Sequence, residues 1–364
     1  MTKENSHQAR GGPNGRAEAM RLLELARAEE RRGEPMEALA HYSEAIDLLA
    51  HGEHEADRAD AIRWKGTVRR ELGDTSIAEE LYRESLAISE SCHYGAGQAH
   101  AINCLAIVAQ RRGDVDGAAT LYRRGARLAS EAGEHRLSGM IEQNLGVLSN
   151  IRGDLDGAFV RYRAALAAFE TADDREGMSW VLNNIGMLHT DMERYDEARE
   201  ALNRGLGIAT ARGDVKMQGL CLLNLAECYV SEDRFDEAEG PCRRALALAL
   251  QRGDALRRAG ALKFLGVIDC ARGRHVQAGE RYRTALQLAR ESEDTLLEAE
   301  ILREIGTLHL EQQHASEARW NLEQSAGLFR SIDASIDAAA VESQLELLPG
   351  DAATAPILER GGGA

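Results

Sequence analysis

Lysine is almost missing from this chain. Only Lys3, Lys65, Lys216 and Lys263 occur in 364 residues, against forty arginines, and 60 acidic residues outnumber 44 basic ones for a formal charge of −16. Phosphate backbones are held by clustered Lys and Arg, so a nucleic-acid partner is not expected. No apolar run approaches the roughly 18 residues that a membrane span requires. The opening MTKENSHQARGGPNGR has no apolar segment of the kind that directs secretion. A soluble, cytoplasmic protein without a membrane partner is expected. The arginine excess, with abundant Ala and Gly, is the codon bias of a GC-rich genome and suggests a bacterial source.

Chemistry-bearing motifs are missing too. GxxxxGK[ST], HExxH and GxSxG do not occur, so nucleotide-binding, zinc-protease and serine-hydrolase chemistry has no carrier. Gly205-Leu206-Gly207 falls inside a helical pattern with no strand before it. His51, His54, Cys92 and His93 lie in loops without a framework to fix ligand geometry. The six cysteines include no CxxC pair, and reduced, packed thiols are expected over disulfides. We therefore expect no enzyme, no catalytic residue, no cofactor and no metal.

What is present is a repeat. Alanine stands at 38, 78, 118, 158, 198, 238, 278 and 318, eight times at a spacing of 40. Twelve residues earlier a column holds only Ala or Gly: 26, 66, 106, 146, 186, 226, 266 and 306. Four residues after each alanine come Tyr42, Tyr82, Tyr122, Tyr162, Leu202, Cys242, Tyr282 and Leu322, and three further on another small residue. Within each copy apolar residues recur at i, i+3, i+4 and i+7, which is an amphipathic helix. A turn follows, as at Gly33, Gly73, Gly113, Gly153 and Gly273, where glycine suits the left-handed residue that ends a helix. A second helix then carries the Ala and Tyr columns. Small residues let the two helices approach, and the Tyr or Leu fills the space beside them. Such a hairpin cannot bury its faces alone and must stack on its neighbours. Asp174, Asp214, Asp254 and Asp294, in the connectors between copies, are expected to cap the next helix.

These columns resemble the tetratricopeptide repeat (TPR). The 40-residue period, longer than the usual ~34, is similar to that of LGN-type adaptors, kinesin light chains and the sensor segments of bacterial MalT-type regulators. The resemblance covers residues 17–348 and implies an all-α, right-handed α-solenoid of eight hairpins, closed by a capping helix over 335–348 whose Glu346 stands where a further hairpin would need a small residue. Residues 1–16 and 349–364 are Gly-, Pro- and polar-rich and are expected to be disordered tails.

The resemblance also places the first helix of each hairpin along a concave groove. Counting the Ala/Gly column as position eight, positions two, five, six, nine, twelve and thirteen face it. In repeats three to six these positions hold a row of amides, Asn103, Gln143, Asn144, Asn183, Asn184 and Asn224, interleaved with Met140, Trp180, Met187, Leu220 and Leu223. A side-chain amide offers donors and an acceptor, the complement of a peptide unit, and the apolar residues can form side-chain pockets. The same amides are also explained as bonds between neighbouring helices, and both readings stand. Among the middle groove positions only Arg111, Asp191 and Glu227 are charged. The Lys/Asn clamp of chaperone-binding TPRs is missing: Lys263 meets Val267 and Arg63 meets Thr67 where Asn is needed. The expected function is a non-enzymatic scaffold or adaptor that binds a partner's peptide or helix. Alternatives are a peptide-sensing regulatory switch and a homo-oligomeric scaffold that self-associates through exposed apolar helix ends or through its APILER tail segment in a neighbour's groove.

Overall fold

Each periodic segment becomes a helix, because its apolar stripe finds a neighbour at the spacing the columns set. The computed structural model describes residues 13–50, 54–332 and 334–348; the tails before 13 and after 348, and His51, lie outside them. The described residues hold seventeen helices and no strand: α1 (Pro13–Arg32), α2 (Pro35–Leu49), α3 (Glu55–Glu71), α4 (Thr75–Ser91), α5 (Gly95–Arg111), α6 (Val115–Glu131), α7 (His135–Ile151), α8 (Leu155–Thr171), α9 (Arg175–Asp191), α10 (Tyr195–Ala211), α11 (Val215–Ser231), α12 (Phe235–Arg252), α13 (Ala255–Ala271), α14 (His275–Glu291), α15 (Thr295–Glu311), α16 (Ala315–Ser331) and α17 (Ser335–Glu346). Odd-numbered helices are the first of each hairpin, even-numbered ones the second, and α17 is the lone cap. α1 begins at Pro13, inside the stretch expected to be a tail; proline's fixed φ suits a first helical turn. None of these helices is long and apolar enough to cross a membrane.

The core is the set of columns. All eight alanines of the 40-residue series are fully buried, and so are the Tyr, Leu and Cys residues four positions on. The close approach is measurable at the small column. A Cβ added at Gly66 would stand 2.8 Å from the Tyr82 ring, and one at Gly146 would stand 2.5 Å from Tyr162. A further small column, Ala19, Ala59, Ala99, Gly139, Ser179, Gly219, Ala259 and Ala299, is buried as well. Where the second helix faces it with serine, a hydrogen bond replaces packing: Ser85 Oγ donates to the Ala59 carbonyl and Ser325 Oγ to that of Ala299, both over 2.8 Å.

The helix ends follow the same chemistry. Gly33, Gly73, Gly113, Gly153 and Gly273 all have positive φ, between 69° and 90°. The connector aspartates cap as expected: Asp174, Asp214, Asp254 and Asp294 accept from the backbone N–H three residues on, over 2.8–3.1 Å. α17 buries Ala338 and Val341 against Leu322 and Phe329 of α16, and Glu346 is exposed. Gly205 and Gly207 lie within α10. All six cysteines are free, with Cys221, Cys228 and Cys242 buried and Cys92 exposed.

The chain divides within α9 into two compact units, one ending at Val181 and the other beginning at Leu182. The uninterrupted 40-residue period gives no sign of this division.

Candidate functional site

The first helices carry the candidate residues, and each unit holds its own set. In the first unit Asn103 of α5 is buried, and Asn144 of α7 donates from Nδ2 to its Oδ1 over 3.4 Å. The contact joins position five of one repeat to position six of the next. Gln143 and Trp180 are half-buried, and Met140 is exposed. Toward the N-terminal end of this unit, Arg27 stacks on the Trp64 ring at 3.7 Å. Asp60 accepts from Arg63 over 2.8 Å and from the Tyr94 hydroxyl over 3.1 Å. His100 sits beside them. Burial, with Arg63 adding, pushes its imidazole down to about 4, so it is neutral at physiological pH.

The second unit repeats the amide rung with better geometry. Asn224 of α11 donates from Nδ2 to Asn183 Oδ1 of α9 over 2.8 Å, and Asn183 Nδ2 points to Met187 Sδ at 3.6 Å. Asn183 and Asn224 are both buried. A buried amide left unpaired costs roughly 1–3 kcal/mol, which explains why these amides pair with each other. Leu223 is buried beside Gly260 of α13, so the expected row of open amides and pockets is thinner than the column suggests. Asn103, Asn183, Asn224 and Leu223 face protein, whereas Met140, Met187, Leu220, Trp180, Gln143 and Asn184 keep surface.

Further along this unit the rung becomes an ion pair. Lys263 of α13, at position five, is buried and donates to Glu300 Oε2 of α15 over 2.7 Å. Its Nζ lies 4.3 Å from the Phe264 ring centroid. Burial works against the ammonium, but the carboxylates of Glu300 and Glu227 outweigh it and hold Lys263 above its ordinary range. Glu227 of α11 is half-buried and makes no hydrogen bond or ion pair among the described residues. Burial lifts its carboxyl, Lys263 partly offsets that, and Glu300 and Asp191 push in the same direction as burial. Sequence reasoning placed Lys263, Glu227 and Glu300 on the groove face but did not join them; the signal was a Lys and a Glu 37 residues apart, close to one period.

The comparisons with known proteins agree on the fold. A tetratricopeptide-repeat profile matches residues 16–91, 140–211, 177–251 and 257–331. No curated protein matches the sequence. Among solved structures, a Rap protein complexed with Competence and Sporulation Factor is 17% identical, with a TM-score of 0.60 over 91% of this chain and 97% of that one. A signal-transduction ATPase with a tetratricopeptide-repeat sensor from Pyrococcus horikoshii is 15% identical, with a TM-score of 0.59 over 87% of this chain and 50% of that one. The Rap conjugation gene regulator of plasmid pLS20, in complex with the Phr* peptide, is 17% identical, with a TM-score of 0.54 over 74% of this chain and 73% of that one.

Proposed function

The chain belongs to the tetratricopeptide-repeat family, and from that premise we propose that it is a non-enzymatic interaction scaffold whose first-helix face in the second unit binds an extended segment of a partner protein. The observation that carries this reading is unused bonding capacity. Asn184 and Glu227 are half-buried polar groups that form no hydrogen bond among the described residues, and they lie on the same helices as the exposed Met187 and the half-buried Leu220. An amide there can take a peptide unit, the thioether and Leu220 can receive an apolar side chain, and the carboxylate favours a basic one. The first unit offers a smaller version in Gln143, Met140 and Trp180. Two of the similar structures hold a bound factor or peptide, which supports this class of function.

The test separates binding from folding. Asn184→Ala and Glu227→Gln are combined, because neither side chain forms a hydrogen bond among the described residues. Wild type and variant are used side by side to capture partners from lysate, and the captured protein's affinity is then measured for each. A loss of more than about tenfold, the equivalent of one or two hydrogen bonds, with melting temperature unchanged or raised, supports the reading. Equal affinity for both proteins sinks it. Small-angle scattering with the captured segment distinguishes a passive adaptor from a sensing switch: a changed envelope favours the switch.

A further inference from the structure

Away from that face, three chemically different side chains converge from three helices of the second unit. Cys270 lies in the last turn of α13, His275 opens α14, and Glu311 closes α15. Cys270 Sγ is 3.0 Å from Glu311 Oε2, His275 Nε2 is 3.4 Å from the same oxygen, and all three donor atoms lie within 4.8 Å of one another. A tetrahedral ion with bonds of about 2.3 Å to sulfur and about 2.0–2.2 Å to nitrogen and oxygen holds its ligand atoms roughly 3.4–3.6 Å apart. The imidazole and carboxylate already stand at that separation. Thiol and imidazole need to close by about 1.2 Å at most, while thiol and carboxylate need to open by about 0.6 Å, and Glu311 is exposed. The first two donors are held by the tight turn between α13 and α14, where Gly273 has φ +69°.

We propose that Cys270, His275 and Glu311 form a binding site for one zinc-type divalent cation, with water or an incoming donor in the fourth position. The donor set selects the ion: hard Mg²⁺ and Ca²⁺ take oxygen ligands, whereas one thiolate, one imidazole and one carboxylate suit Zn²⁺. Without an ion the Cys270 thiol donates a hydrogen bond to Glu311 Oε2. Binding replaces the proton: the S–H bond breaks, a sulfur–metal bond forms, and the proton leaves to solvent. Thiolate and carboxylate together then balance the charge of the cation. His275 also borders a 410 Å³ cavity that it shares with Glu280 and His309.

Helix packing does not account for this set. The positions equivalent to Cys270 hold Glu30, Arg70, Gln110, Asn150, Thr190, Val230 and Leu310, and no other copy has a histidine where His275 stands. The bound ion would clip the turn of the seventh hairpin to the end of α15 in the eighth. The site goes beyond the scaffold reading and does not depend on it.

The test uses the full chain, stripped with a chelator and titrated with cobalt(II). One equivalent should bind with a thiolate-to-cobalt charge-transfer band that zinc(II) then abolishes, and zinc should raise the melting temperature. Cys270→Ser should abolish the band, Glu311→Gln should keep it while weakening affinity at least tenfold, and Cys92→Ser, at the exposed thiol elsewhere, should change nothing. Absence of the band in the wild type, its survival in Cys270→Ser, or unchanged affinity in Glu311→Gln overturns the proposal.

Discussion

Glu227 illustrates how a single half-buried side chain sets stability in this protein. Its carboxyl titrates above the ordinary value of 4.5 because burial disfavours the charged form. The folded state therefore binds the proton more tightly than the unfolded chain does. The ionised group destabilises the fold at neutral pH, and that penalty disappears as pH falls below the unfolded value. Glu227→Gln should raise the melting temperature at pH 7 and leave it unchanged below about pH 4.5, as thermal melts across pH would show. Gln313 is a second residue under strain. It occupies the left-handed turn position of its hairpin with φ +64°, where five other hairpins use glycine. An L side chain pays about 1–2 kcal/mol there, part of which glycine loses again as unfolded-state entropy. Gln313→Gly should thus gain about 0.5–1 kcal/mol in denaturant unfolding.

Between helices, position five reaches the next first helix by two chemistries. Position five of a first helix meets the next first helix as an amide rung at Asn103–Asn144 and Asn183–Asn224, and as an ion pair at Lys263–Glu300. Substituting Asn224→Ala strands the buried Asn183 carbonyl and should cost about 1–3 kcal/mol. Asn184→Ala, one residue from Asn183 on the same helix, breaks no rung and should change stability by less than about 0.5 kcal/mol. Chemical denaturation of the two variants measures the contrast directly. An equal loss in both would show that neighbours in the amide row do the same work.

Across the whole molecule, repeat stability is approximately a sum of local terms, and the chain divides into two compact units between Val181 and Leu182. Tyr122 is fully buried in the first unit and its hydroxyl donates to Gln110 Oε1 over 3.0 Å. Tyr122→Ala should cost about 3–5 kcal/mol, and hydrogen exchange should quicken in α5–α8 while α11–α16 keep their protection. Uniform loss of protection would mean that the chain unfolds as one cooperative body. The sequence by itself determined the helices, their pairing, the left-handed glycines and the aspartate caps. Each of these depends on residues within one 40-residue copy, where helical period and small-residue spacing act directly. Only the tertiary structure decided which polar side chains of the first helices are left unpaired among the described residues. Asn144 and Asn184 occupy the same column and read identically, yet one bonds to the preceding first helix and the other keeps its amide unpaired within the described residues. It also decided that Cys270, His275 and Glu311 meet. That outcome depends on distances between helices from different copies, which a column of letters does not contain.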